Sequence, residues 1–122
     1  MPRVLQVVGA VTLVASFLLI SLTFRENAFL SPTVRIQQER GQTVISTGPY
    51  HFVRHPMYAG GLLLFLGTPL LLGSWYGLVL VLVLIPAGAM RAVLEERVLR
   101  EELPGYATYM AQVKYRLIPF VW

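Results

Sequence analysis

Tyr50, His51, Arg54, His55 and Tyr58 gather at the near end of a long apolar run, and Arg91, Glu95 and Glu96 stand at its far end. Tyrosine faces stabilise a nearby cation by about 0.5 to 2 kcal/mol, which suits the first cluster to a sulfonium or ammonium group. The neighbouring carboxylates of Glu95 and Glu96 can accept hydrogen bonds from hydroxyls such as those of a ribose, or pair with an ammonium. Arg91, one turn earlier, can grip a carboxylate or phosphate through two parallel N–H bonds. Plainer uses exist for all of them. Arg and His beside an apolar helix set its orientation, and Glu-Glu-Arg followed by Arg-Glu-Glu is the pattern of a solvated helix face. Ionisable groups at the edge of hydrocarbon are costly and tend to be functional, which favours the chemical reading.

Several chemistries are excluded by residue type. Cysteine is absent, so disulfides, thiolate nucleophiles, iron–sulfur centres and cysteine zinc sites are ruled out. His51 and His55 are four apart, but they are the only histidines, Asp is absent, and Pro56 prevents a continuous helix through both, so no metal site is expected. Neither a dinucleotide fingerprint nor a phosphate loop is present. Gly60, Gly61, Gly67, Gly73 and Gly77 read as contacts between membrane helices.

The elements that must position the two clusters are membrane helices. Hydrophobic residues make up 56% of the 122-residue chain and charged residues 13%, against roughly a quarter charged in soluble domains. The apolar run over residues 4–24 would span roughly 31 Å as a helix, close to the hydrocarbon thickness of a bilayer. Its length and the lack of a small-residue cleavage pattern argue against a secretory signal. Residues 56–90 hold no Asp, Glu, Lys, Arg or His. A single helix over that run would reach about 52 Å, so it must be broken, and Gly73 with Ser74 supplies the break. The expected elements are a second membrane helix over residues 56–72 and a third over 74–100, joined as a tight hairpin. Trp75 and Tyr76 at its tip suit the interface, and Pro69 and Pro86 are tolerable within a bundle.

Residues 25–54 carry four Lys or Arg and residues 91–122 carry five, whereas the hairpin tip has none and the amino terminus has Arg3 alone. Three crossings put both basic segments on one side, which the positive-inside rule makes cytoplasmic. The net charge of +4 thus reflects membrane orientation, with the lipid bilayer as partner and no nucleic acid. A structured loop with a short amphipathic helix is expected over residues 25–55. After residue 100 the helix should stop at Leu103, Pro104 and Gly105, and an aromatic-rich segment over 101–122 should follow along the interface. The whole is a single domain over residues 1–122, all-α, an integral membrane bundle of about three helices.

The motifs resemble those of the isoprenylcysteine carboxyl methyltransferase family, within a wider group that includes phospholipid methyltransferases. The resemblance rests on Gly48, Pro49 and Tyr50; on Val53, Arg54, His55, Pro56, Tyr58 and Gly60; on Glu95, Glu96 and Leu99; and on Leu103, Pro104, Gly105, Tyr106, Tyr109 and Tyr115 through Pro119. It implies a pocket for S-adenosylmethionine on the cytosolic side, with a lipid-like substrate entering from the bilayer. By the same resemblance Gln37, the backbone of Thr43, Val44 and Ile45, then Tyr50, His55, Pro56, Met57, Tyr58 and Glu95 would hold the cofactor, and Arg91 would face the substrate. Relatives of this type usually carry further membrane helices ahead of the position of Val4. The chain is therefore expected to be a minimal or amino-terminally shortened version, whose acceptor pocket is incomplete or needs a second copy. Two other readings share the architecture: a reductase of lipid double bonds using a nicotinamide cofactor, and a non-catalytic membrane subunit. The Glu95–Glu96 pair and the spacing from Arg54 to Tyr58 favour the methyltransferase.

Overall fold

The computed structural model describes residues 1–27 and 44–122. Among these residues the regular structure is four α-helices and one 3₁₀ turn: α1 Arg3–Glu26, the turn Gly48–His51, α2 Pro56–Leu72, α3 Trp75–Glu102 and α4 Tyr106–Gln112. There is no strand among the described residues. The all-α architecture matches the sequence expectation. The short helix expected between α1 and the turn, together with Gln37 and Thr43, falls outside the described residues.

Local chemistry sets the helix ends. Pro56 occupies the first turn of α2, where its missing N–H is no loss. Gly73 closes α2 at φ 72°, a left-handed conformation that a Cβ would strain, and the amides of Gly73 and Ser74 donate to Leu70 O at 3.2 Å and Pro69 O at 2.8 Å. The Ser74 hydroxyl then accepts from Gly77 N at 3.0 Å and caps α3. The hairpin therefore turns at the residues expected, and α3 runs two residues further than expected, to Glu102. Thr12 and Thr23 return their hydroxyls to Val8 O and Leu19 O, each at 2.7 Å, so neither is left unpaired in an apolar setting.

Packing is uneven. α1 and α2 lie antiparallel along a seam of small residues: a Cβ on Gly9 would come within 2.7 Å of Leu70 Cβ, one on Gly67 within 3.0 Å of Gly9 O, and one on Gly60 within 2.6 Å of Ile20 Cγ1. Ser16, fully buried, donates to Gly60 O at 2.8 Å across the same seam. By contrast α3 is fastened near its two ends, where Val81, Ala92 and Glu96 are buried, while Leu82, Val83, Leu84, Ile85 and Met90 between them are exposed. Gly9→Ala is expected to destabilise the protein by about 1–3 kcal/mol through overpacking. Gly61→Ala, where an added Cβ meets nothing within 4 Å, should be neutral or mildly stabilising. Thermal unfolding of the two variants in detergent checks this, and an equal loss in both would mean the seam does not hold the pair together.

α1 and α3 are each long and apolar enough to cross a membrane. At 17 residues, α2 is a shorter apolar helix. The exposed apolar side chains of α1 and α3, Val83 at 67% and Phe17 at 58% among them, make an apolar belt of the kind that marks a membrane or interaction surface.

Candidate functional site at the basic end of the bundle

The chain enters α2 through a bend at Arg54 and His55, where Arg54 N donates to Tyr115 O and His55 N donates to Arg116 O, both at 2.8 Å. This pairing pins the carboxy-terminal tail to the start of α2. It places three basic side chains around one acid of α3. His55 Nε2 donates to Glu96 Oε1 at 2.9 Å, Arg54 Nε lies 3.2 Å from the same oxygen, and Arg116 Nε donates to Glu96 Oε2 at 2.9 Å. Glu96 is 3% exposed, so this is a buried ionic hub.

Glu95 points elsewhere because successive helical residues diverge by about 100°. Its Oε2 accepts from the Tyr58 hydroxyl at 2.5 Å, and that hydroxyl accepts from Arg91 Nε at 2.8 Å. The Arg91 guanidinium also sits 6.0 Å from the Tyr58 ring centroid. Arg91, Tyr58 and Glu95 thus form one hydrogen-bonded chain linking the start of α2 to α3. Tyr58 and Glu95 are only partly buried, and the Glu95 carboxylate has capacity for further donors.

Behind both groups lies a cluster of Tyr50, Leu103, Tyr106, Tyr109 and Val113, with Val44, Ile45, Leu99 and Met110 packed against it. Tyr109 donates to Tyr50 O at 2.5 Å, and the Tyr50 hydroxyl accepts from Asn27 Nδ2 at 2.9 Å. Burial pushes the Tyr50 phenol up to about 12 and raises those of Tyr106 and Tyr109 above the ordinary range, so all three stay neutral at physiological pH. Tyr106 is 5% exposed, and its hydroxyl has no hydrogen-bond partner among the described residues.

Of the residues singled out in the sequence, Tyr58, Arg91 and Glu95 come together in one chain, and His55 joins the Glu96 hub. Tyr50, Val44 and Ile45 belong to the aromatic cluster, Pro56 is fully buried at the start of α2, and Met57 beside it is half-buried. His51 stays exposed in the 3₁₀ turn. The described residues hold no group of three or more His, Cys, Asp or Glu able to take a metal. Tyr106 and Tyr109 turn into the core, whereas Phe120 and Trp122 beyond them are exposed. Sequence reasoning missed the joint role of Arg54 and Arg116 in holding Glu96, and the orphaned Tyr106 hydroxyl.

These donors and acceptors fit a ligand such as S-adenosylmethionine. The Tyr58 ring and a Glu95 carboxylate with spare capacity suit its cations and hydroxyls. The fold and site define a small α-helical membrane protein with an aromatic and charged site built where two of its helices meet. The chain belongs to the phospholipid methyltransferase family, whose family model matches residues 4–104. That family lies within the wider group of phospholipid and isoprenylcysteine membrane methyltransferases, so membership points to methyl transfer at a membrane. Tyr106, Tyr109 and Arg116 lie beyond the matched residues. No individually curated relative matches the sequence.

Proposed function

We propose that the chain is an isoprenylcysteine carboxyl methyltransferase-like enzyme that uses S-adenosylmethionine to methylate a small lipophilic acceptor, bearing a carboxylate, thiol or amine, at the cytosolic face of its membrane. The observation that carries this reading is the Arg91–Tyr58–Glu95 chain, which sets a cation-binding surface beside an anion-binding guanidinium. When bound, the sulfonium supplies an electrophilic methyl group for in-line displacement. Such a reaction needs alignment and exclusion of water more than it needs a strong base. In this role Tyr58 presents its ring and hydroxyl, Glu95 accepts from ammonium or hydroxyl groups, and Arg91 orients an anionic acceptor. With a carboxylate or thiolate acceptor no proton has to move.

The topology proposed alongside is three crossings by α1, α2 and α3, with the site on the side that holds nine of the ten Lys and Arg residues, made up of the four in 25–54 and the five in 91–122. Calorimetric titration of the folded protein in detergent with S-adenosylhomocysteine tests the cofactor assignment. Wild type should bind, Glu95→Ala should bind at least about tenfold more weakly through loss of a charge-assisted hydrogen bond, and Arg3→Ala should match wild type. Absence of heat from folded wild type, or binding of a nicotinamide dinucleotide instead, would remove the methyltransferase reading. Transfer of radiolabelled methyl groups to candidate acceptors in proteoliposomes then identifies the acceptor.

A further inference from the structure

Arg97 and Arg100 play no part in the site above. They lie at about 200° and 180° around α3 from Glu95 and Arg91 respectively, and so occupy its opposite flank. Together with Arg116 they line a cavity of about 500 Å³ with Val93 and Met110 as apolar wall. Neither Arg97 nor Arg100 makes an ion pair among the described residues, although Glu101 shares the rim. Arg116 is fixed from two directions, by the bond from its Nε to Glu96 and by the Trp122 ring 4.9 Å from its guanidinium carbon. Its terminal nitrogens therefore remain available at a set position.

The charges do not balance. Among the described side chains, Arg97, Arg100 and Arg116 line the cavity with Glu96 and Glu101, and Arg54 shares Glu96 from behind, so four guanidiniums face two carboxylates. Several guanidiniums around one hollow match an oxyanion with several acceptor oxygens, and a phosphate satisfies more of them than a carboxylate does. The volume exceeds that of a bare phosphate. One to two turns back toward the apolar run, Met90 and Leu94 are exposed on the same side of α3, at 66% and 47%, where an acyl chain would lie.

We propose that this cavity holds the headgroup phosphate of an anionic phospholipid, bound as a resident partner and not as the methyl acceptor. The lipid phosphate sits among Arg97, Arg100 and Arg116, and its acyl chains run along Met90 and Leu94. The site is separated by the body of α3 from Arg91, Tyr58 and Glu95, so the proposal stands independently of the acceptor's identity.

The chain has two tryptophans, and Trp122 borders Arg116. In a Trp75→Phe background Trp122 alone reports. The full chain is reconstituted in phosphatidylcholine vesicles doped with brominated phosphatidylglycerol or, in parallel, brominated phosphatidylcholine. Quenching of Trp122 should indicate a preference for phosphatidylglycerol of roughly fivefold or more per guanidinium engaged. Arg97→Gln with Arg100→Gln should abolish that preference while helicity by circular dichroism is unchanged, both side chains being exposed. Lys114→Gln, which removes an exposed charge outside the cavity, should keep it. Equal quenching by the two lipids, persistence in the double variant, or an equal loss per charge in Lys114→Gln would each overturn the proposal. Response of Trp122 to millimolar inorganic phosphate without lipid preference would assign the cavity to free phosphate and overturn the lipid.

Discussion

Glu96→Ala is expected to destabilise the protein by about 3–5 kcal/mol, the usual cost of removing one partner from a buried ionic cluster. The magnitude follows from what is left behind. Arg54 and His55 have side chains only 8% and 2% exposed, and without Glu96 they keep their burial and lose their acceptor. Arg116 loses its bond as well, and with it goes part of what ties the tail to the start of α2. Glu96→Gln should fall between, because an amide oxygen still accepts but leaves the guanidinium charge uncompensated. Thermal unfolding in detergent, followed by circular dichroism, measures both. A Glu96→Ala protein that melts within about 1 kcal/mol of wild type would show that the hub is solvated and does not hold α3 to α2.

Arg91→Ala is expected to lower turnover by roughly 10- to 100-fold while weakening S-adenosylhomocysteine binding only a few-fold. The guanidinium is assigned to the acceptor, and a lost charge-assisted contact of about 1.5–3 kcal/mol accounts for one to two powers of ten. The small effect on the cofactor has its own cause. Arg91 Nε donates to the Tyr58 hydroxyl, which in turn donates to Glu95, so removing Arg91 loosens Tyr58 without unseating it. Arg91→Lys should restore little, because an ammonium cannot reproduce the planar fork. Single-turnover rates with radiolabelled donor, set against calorimetric affinity, separate the two quantities. Parallel loss of both would place Arg91 in the cofactor pocket.

Much of the architecture was legible in the residues. An uncharged run too long for one span, interrupted by Gly73 and Ser74, leaves a hairpin as the economical solution, and the turn forms there with Gly73 left-handed and Ser74 as cap. The proximity of the two clusters followed from that hairpin, and Tyr58 does meet Arg91 and Glu95. The rotation of α3 was not legible. Its membrane portion is apolar all round, so no stripe tells which face turns inward. Of the adjacent acids Glu95 was assigned the cofactor, and nothing in the pattern disclosed that Glu96 is the buried one. Ala92, Glu96 and Leu103 define the inward face once packing is known, and all three are buried. Arg116 was hidden for a different reason, since its contact with Glu96 arises from the tail pairing with Arg54 and His55, a long-range backbone match that leaves no mark in spacing.

The contrast between the glycine seam and the end-fastened α3 bears on how the host bilayer acts on the protein. Hydrophobic mismatch is relieved by tilting, at a cost of fractions of a kcal/mol per ångström. α1 and α2, in backbone contact through Gly9, Gly60 and Gly67, must lean as a unit. The long α3, held near its two ends and little supported between Val81 and Ala92, can follow a change in tilt only by straining those fastenings. A change in lipid chain length is therefore expected to load the polar fastenings of α3, the Tyr58–Glu95 bond among them.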